Sequence, residues 1–259
     1  MGTDKMTQFL ISIMDITPLS DSLSGDKALY DKAFKLVPGY RQQKICNLKN
    51  DAAKCRCLAA GLLLNYTTRT FISGSVSGSI TGSLADNTPT VKNIPFPVTV
   101  SAAVCTYAQE YDYETACIAN GKPYFKEHEN LHFNLSHSGN FAVCIVAGMP
   151  CGIDIEGNRP FKPSVAKRFF SKTEYHWIYD TENVSVQAER FFRLWTLKEA
   201  YAKATGNGIA AEIHAASYVP DTDSDGLCFA DSETAAHFQI KEAEYDGLRI
   251  AAVLLDSAF

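Results

Sequence analysis

Apolar and polar positions along the chain recur with two different periods, which predict a mixture of strands and helices. Short apolar runs, such as FLISIMDI at residues 9–16 and FAVCIVA at residues 141–147, are typical of buried strands. Longer runs with one apolar face predict helices at residues 50–71 and 187–205. Toward the C-terminus the pattern returns to short strands separated by turns. Both halves of the chain are therefore predicted to contain strands and helices.

A boundary near residue 150 separates these two mixed halves. We predict one subdomain at residues 1–149 and a second at residues 150–259. The first half contains a stretch rich in Gly, Ser and Thr at about residues 73–90, which has little apolar surface to bury and is predicted to be an insertion. No sequence repeat relates the two halves.

Two motifs before this boundary predict local structure. NGKPYF, residues 120–125, predicts a turn followed by an extended segment, and HFNLSHSGNFAVCIVA, residues 132–147, predicts a strand, a turn and a second strand. Within the second motif, Ser136 and His137 could present a hydroxyl and an imidazole to an anion, or could belong to an ordinary polar turn. A serine nucleophile with His137 as its base is disfavoured, because adjacent residues of a strand point to opposite faces.

The composition is that of a folded soluble chain, with 259 residues, 46% hydrophobic, 20% charged and a net charge of −5. No long basic tract is present, so non-specific binding of nucleic acid is not expected. No run of eighteen apolar residues predicts a membrane span, and the N-terminus lacks a signal-peptide pattern. Among the eight cysteines, Cys144, Cys151 and Cys228 lie in apolar runs, where a reduced cysteine packs as a small hydrophobe. We therefore expect a reduced, cytoplasmic protein.

The motif CGIDIEG, residues 151–157, places two carboxylates at alternating positions of a predicted strand. Residues i and i+2 of a strand share a face, so Asp154 and Glu156 would stand roughly 6–7 Å apart. Two like charges at that distance repel by roughly 2–3 kcal/mol at an intermediate effective dielectric. A positive group should therefore compensate them.

The helix predicted at residues 187–205 adds a third carboxylate. Trp195, Glu199 and Lys203 follow the i, i+4, i+8 spacing and share one face, whereas Lys198 lies about 100° round the helix. Taken alone, the Glu–Lys pair is typical of a solvated amphipathic helix. Taken with the strand carboxylates, it completes a cluster suited to a hard cation such as Mg²⁺. The chain also offers basic side chains suited to phosphate, namely Lys203, Lys122, Arg41, Lys44 and Arg56. Together these residues predict a metal-dependent enzyme that acts on a phosphate or pyrophosphate.

Several of these motifs follow one another in an order that resembles a known family. GIDIE, followed 45 residues after Asp154 by the Glu of WTLKEAYAK, resembles the signature of the 4'-phosphopantetheinyl transferases. The wider run, which adds GKPYF, HFNLSHSG and RFFSKTEY, is similar to the larger, surfactin-synthetase-activating type. The similarity is dense over residues 121–209 and looser upstream. Cys151 departs from it, standing where the family usually has Val or Ile.

The resemblance implies an α+β fold of two similar α/β subdomains related by a pseudo-two-fold axis, with the active site in the cleft between them. It implies transfer of the phosphopantetheine arm of coenzyme A to a serine of an apo acyl or peptidyl carrier protein, with release of 3',5'-ADP. Asp154, Glu156 and Glu199 would hold Mg²⁺. Glu199, or a water oriented by the carboxylates, would take the proton from the carrier serine, and Lys203 would stabilise the developing charge. The implied coenzyme A ligands are Lys122, Ser136, His137, Lys198 and, toward the nucleotide end, Arg41, Lys44 and Arg56.

Two other functions stay open at this point. A Mg²⁺-dependent phosphohydrolase could use the same carboxylates, and it would release free phosphate or cleave coenzyme A with no carrier present. A non-catalytic coenzyme A-binding protein could share the fold, although it would be free to lose the acidic triad and Lys203. The carrier is also open among fatty-acid, polyketide and nonribosomal-peptide carriers, and the resemblance implies a monomer.

Overall fold

The computed structural model describes residues 9–73, 98–101, 113–118, 121–157 and 159–256. The chain divides into two compact units, one built mainly from elements before Met149 and one from Met149 onward together with Cys117–Lys122. Both units contain strands and helices, which confirms the predicted mixed α+β class. The pseudo-two-fold relation and the boundary at residue 149 stay predictions. Residues 74–90 of the predicted insertion lie outside the described residues.

The first unit contains a four-stranded sheet in the order β2-β1-β6-β5, in which β1 runs parallel to β2 and antiparallel to β6. A separate two-stranded ladder pairs β3 with β4. The strands are β1, Phe9–Asp15; β2, Val98–Val100; β3, Thr115–Cys117; β4, Pro123–Phe125; β5, His132–Ser138; and β6, Phe141–Ala147. The helices are α1, Thr17–Ser24; α2, Ala28–Phe34; α3, Gly39–Asn47; and α4, Asp51–Ser73.

The core of the first unit forms between α4 and the central strands of its sheet. Ile13 of β1 is fully buried, and six of the seven residues of β6 are buried. Leu62 and Leu63 of α4 belong to the buried cluster on this sheet. Strands β5 and β6 are joined at Gly139, whose φ of +54° favours glycine. The strand, turn and strand predicted for residues 132–147 are therefore confirmed.

The second unit contains a three-stranded antiparallel sheet in the order β10-β11-β7, with one long helix, α7, packed against β7 and β11. A second ladder pairs β8 with β9. The strands are β7, Cys151–Gly157; β8, Tyr218–Pro220; β9, Leu227–Phe229; β10, Phe238–Tyr245; and β11, Leu248–Leu255. The helices are α5, Pro163–Phe169; α6, Lys172–Tyr179; α7, Val184–Thr205; α8, Ile209–Glu212; and α9, Ser232–His237.

Local signals in the sequence determine where α7 begins and ends. It begins at Val184 rather than at the predicted Gln187, because the side chain of Asn183 accepts hydrogen bonds from the first turn. It ends before Gly206, which adopts a φ of +79° and so forms the C-terminal cap that glycine permits. Neither this helix nor any other described one has the length and apolar character needed to cross a membrane.

Candidate active site

Strand β7 and helix α7 bring the predicted acidic residues together. Asp154 lies opposite Ala251 of β11 and is only 4% exposed. Its Oδ1 accepts a hydrogen bond from Lys203 Nζ of α7 at 2.6 Å. The compensating cation that the sequence required for Asp154 is therefore Lys203, which reaches the strand from the helix packed across it.

Glu156 is compensated by Arg159, which lies outside the predicted motifs. Arg159 Nη1 donates to Glu156 Oε2 at 2.6 Å, and its guanidinium also lies over the ring of Phe192, with Cζ 4.6 Å from the ring centroid. The one indication of this pair in the sequence is that Arg159 follows Glu156 by three residues. Because the Arg159 side chain is about half exposed, we expect this ion pair to contribute less than about 1 kcal/mol to folding.

Glu199 lies half-buried on α7, and its pKa is raised. Burial is the largest cause, followed by the negative charge of Asp154; Lys203 opposes the shift and Glu156 adds to it. The three predicted carboxylates and Lys203 therefore interact electrostatically across the strand and the helix. Within the described ranges, no three His, Cys, Asp or Glu side chains converge as a metal ion would require. In this conformation Lys203 and Arg159 neutralise the strand carboxylates.

We expect Glu199→Gln to raise thermal stability at neutral pH. Because the folded state raises this pKa, the ionised carboxylate costs the folded state free energy. The cost is absent below the ordinary glutamate pKa of about 4.3 and complete above the raised value. The gain in Tm should therefore grow as the pH rises from about 4 to neutrality, by roughly 2–4 °C for each kcal/mol relieved.

Circular dichroism melts of the wild type and the variant across this pH range measure the effect. Glu182→Gln changes an exposed carboxylate just before α7 and is the matched control, with a Tm expected to stay close to that of the wild type. A gain for Glu199→Gln that is the same at pH 4 and pH 7 would contradict the electrostatic explanation.

Gly152 allows the backbones of β7 and α7 to approach each other. A Cβ built on Gly152 would lie 2.1 Å from the carbonyl oxygen of Ala200 and 2.3 Å from the amide nitrogen of Ala204. Both atoms belong to the helix backbone and cannot rotate aside as a side chain would. Packing therefore requires glycine at this position, and the close approach fixes the distance of α7 from Asp154.

Lys198 lies in the core, which differs from the predicted contact with coenzyme A. Its side chain is 1% exposed, and Nζ donates to the carbonyl oxygens of Ile213 at 2.9 Å and Ala216 at 2.7 Å. The same nitrogen lies 3.1 Å from Oε1 of Glu174, which is 0% exposed. Burial lowers the pKa of Lys198. The rotation of about 100° from Glu199 turns this side chain inward, away from the helix face that carries Glu199.

Lys122, also predicted to contact coenzyme A, is hydrogen-bonded to the backbone instead. Its Nζ donates to the carbonyl oxygen of Ala204 at 2.6 Å and to that of Cys151 at 3.3 Å. Burial lowers the pKa of this lysine. Two of its three ammonium donors are therefore directed to the last turn of α7 and the first residue of β7, which differs from the predicted phosphate contact.

The other predicted coenzyme A ligands lie in the first unit. Ser136 and His137 belong to β5, where His137 is exposed, and Lys44 and Arg56 lie on α3 and α4. Arg41 of α3 donates from Nη1 to a backbone carbonyl oxygen of α4 at 3.2 Å and so braces the two helices. Coenzyme binding by these residues stays a prediction.

The segment that holds β7 and α7 matches a known family. Residues 150–253 match the family model described as the 4'-phosphopantetheinyl transferase superfamily. The 4'-phosphopantetheinyl transferase psf-1 of Bacillus pumilus is 46% identical over 95 residues, which are 35% of this chain and 39% of the relative. The 4'-phosphopantetheinyl transferase Sfp of Bacillus subtilis strain 168 is 40% identical over 93 residues, which are 36% of this chain and 41% of the relative. The chain thus aligns with about two fifths of the length of these curated relatives.

The predicted resemblance to the 4'-phosphopantetheinyl transferase superfamily, of the surfactin-synthetase-activating type, is confirmed by these matches. A solved holo-[acyl-carrier-protein] synthase of Thermotoga maritima aligns with a TM-score of 0.33 at 18% identity, over 42% of this chain and 63% of that chain. A likeness of that size does not establish a shared fold.

Proposed function

We propose that this protein transfers the 4'-phosphopantetheine arm of coenzyme A to a serine of an apo acyl or peptidyl carrier protein and releases 3',5'-ADP. The observation that carries the proposal is the convergence of Asp154, Glu199 and Lys203 between β7 and α7. This pair of elements lies within the segment that matches the transferase superfamily. No observation favours the phosphohydrolase or the non-catalytic binding protein over this function.

The chemistry of the donor set fits a hard cation, because all three acidic residues offer carboxylate oxygens, although in the described conformation their side chains do not converge on one point. Asp154, Glu156 and Glu199 would hold the ion. When ionised, the three carboxylates carry three negative charges, and the two paired cations, Lys203 and Arg159, compensate two of them, which leaves one negative charge for the ion to neutralise. When bound, Mg²⁺ would neutralise charge on the pyrophosphate of coenzyme A.

Glu199 is our candidate for the general base. Its raised pKa makes the ionised carboxylate a stronger base than an ordinary glutamate, which favours proton removal near neutral pH. The proton would pass from the hydroxyl of the carrier serine to a carboxylate oxygen of Glu199, directly or through one water. Lys203 would donate hydrogen bonds to phosphate oxygens as negative charge develops there.

The coenzyme would be held by the remaining basic and polar residues. With Lys198 and Lys122 directed to other partners, the proposed ligands are Ser136, His137, Arg41, Lys44 and Arg56. Charged donors of this kind suit the phosphates of coenzyme A, because charge-assisted hydrogen bonds are the stronger ones. We propose that the protein acts as a cytoplasmic monomer. Its seven described cysteines are free thiols, which is compatible with a reducing compartment.

We expect Asp154→Ala and Glu199→Ala each to abolish carrier loading while the protein stays folded, because both are proposed metal ligands and Glu199 is also the proposed base. The assay incubates the full chain with coenzyme A, Mg²⁺ and a panel of apo carriers. The readout is a mass gain of one phosphopantetheine arm on the carrier serine.

Circular dichroism checks the fold of both variants, and Glu182→Gln is the control that should load carriers at the wild-type rate. Near-normal loading by either alanine variant with Mg²⁺ as the only metal would refute the proposed site. Failure of the wild type to load any carrier, with release of phosphate from coenzyme A alone, would instead favour the phosphohydrolase.

A further inference from the structure

Lys122 reaches α7 and β7 from a distant part of the chain. It stands 29 residues before Cys151 and 82 residues before Ala204, the two residues whose carbonyl oxygens it contacts. Two backbone hydrogen bonds join this segment to Ile118: Ile118 N–H donates to the Lys122 carbonyl at 3.0 Å, and Gly121 N–H donates to the Ile118 carbonyl at 2.8 Å. Backbone hydrogen bonds therefore hold Lys122 in place, and its side chain contacts both α7 and β7.

Lys122 and Gly152 both lie where the last turn of α7 packs against the first residues of β7, a contact that we call the junction. Cys151 immediately precedes Gly152, and Ala204 supplies both the carbonyl that Lys122 contacts and an amide that lies against Gly152. The stem of Lys122 also lies over the helix cap, since a Cβ built on Gly206 would be 3.2 Å from its Cδ. A lysine that bonds the last carbonyls of a helix is a favourable C-terminal cap. Lys122 also donates a second hydrogen bond, to the carbonyl oxygen of Cys151 in β7.

The junction stands next to the reacting groups. Asp154 follows Cys151 by three residues on β7, and Lys203 directly precedes Ala204 on α7. A shift of the last turn of α7 relative to the start of β7 would change the distance between Lys203 and Asp154, now 2.6 Å. Because misplacing a catalytic group by about 1 Å can cost about a hundredfold in rate, this spacing matters for the proposed reaction.

We propose that Lys122 is a positioning residue for the active site, which clamps the last turn of α7 to the first residue of β7 and so sets the spacing between the helix and strand residues that react. The proposal rests on the proposed transferase function, and it replaces a direct contact between Lys122 and a phosphate of coenzyme A. A clamp and a phosphate ligand differ in which kinetic constant they control.

The test compares Lys122→Met, which keeps the length of the stem but removes the donors, with Lys122→Arg, which keeps donors and charge. The assay measures loading of an apo acyl carrier protein with Mg²⁺ and either coenzyme A or dephospho-coenzyme A. We expect Lys122→Met to lower kcat by about 10- to 100-fold. The KM for coenzyme A and the preference over dephospho-coenzyme A should stay within about twofold of wild type, and Lys122→Arg should recover part of kcat.

A second readout needs no substrate and stays valid if the wild type loads no carrier. The amide of Gly206 donates to the carbonyl of Ala202 at 3.0 Å at the end of α7, and its hydrogen exchange should accelerate at least about tenfold in Lys122→Met. Amides of α6 are the internal control, and Lys126→Met, at an exposed lysine, is the control variant expected to leave exchange and kcat unchanged. If Lys122→Met does not fold, the same measurements are made on Lys122→Gln.

Two results would overturn the proposal. One is a KM for coenzyme A that rises about tenfold while kcat is kept and the preference over dephospho-coenzyme A is lost, which would make Lys122 a phosphate ligand. The other is an unchanged exchange rate at Gly206, which would show that Lys122 does not hold the end of α7.

Discussion

Lys198→Met is expected to destabilise the folded protein by about 3–5 kcal/mol, because it leaves the carboxylate of Glu174 buried without its cation. Glu174 is 0% exposed, and its oxygens also accept hydrogen bonds from the amides of Ser171 at 2.7 Å and Tyr218 at 2.9 Å. The pair therefore joins the first turn of α6, the start of β8 and the middle of α7. A loss of this size is a large part of the usual stability of about 5–15 kcal/mol and should lower the Tm by roughly 6–20 °C.

A double-mutant cycle with Glu174→Gln identifies the cause of this loss. Neutralising Glu174 removes the uncompensated charge, so the double variant should be more stable than the sum of the two single changes predicts. Urea unfolding followed by circular dichroism gives each free energy of unfolding. Lys167→Met, at an exposed position of α5, is the matched control and should fall within about 0.5 kcal/mol of wild type. A similarly small effect for Lys198→Met would contradict the buried ion pair.

Gly152→Ala should both destabilise the protein and reduce the proposed transferase activity. The added methyl group would lie 2.1 Å from the Ala200 carbonyl oxygen, whereas even close carbon–oxygen contacts in proteins are about 3.3–3.6 Å. Helix α7 would have to move away from β7 by about 1 Å, and it would carry Glu199 and Lys203 with it. We expect a cost of about 1–3 kcal/mol or more and a loss of kcat of about a hundredfold.

Thermal unfolding and carrier loading below the Tm of the variant separate these two effects. Gly148→Ala is the matched control, because a Cβ built on Gly148 meets nothing within 4 Å. That control should load carriers at the wild-type rate. Wild-type activity in Gly152→Ala would show that the distance between β7 and α7 does not set the catalytic geometry.

The sequence was enough to predict the elements that carry the candidate site. The alternating apolar positions of GIDIE and the apolar face of the later helix are local patterns, and local backbone preferences set most of the bounds of β7 and α7. The spacing of Glu199 and Lys203 by four residues placed them on one helix face, as the structure shows. The same local information indicated that Asp154 and Glu156 need positive partners.

The tertiary structure alone decided which partner each charged group has. Lys198 and Glu199 are adjacent in sequence, yet the docking of α7 on its sheet buries one ammonium against Glu174 and leaves the neighbouring carboxylate beside Asp154. Lys122 was predicted to be a phosphate ligand. No local pattern indicates that its ammonium donates instead to the carbonyl oxygen of Ala204, 82 residues away. Sequence patterns report the preferences of near neighbours, whereas the pairing of buried charges depends on which distant elements exclude water from them.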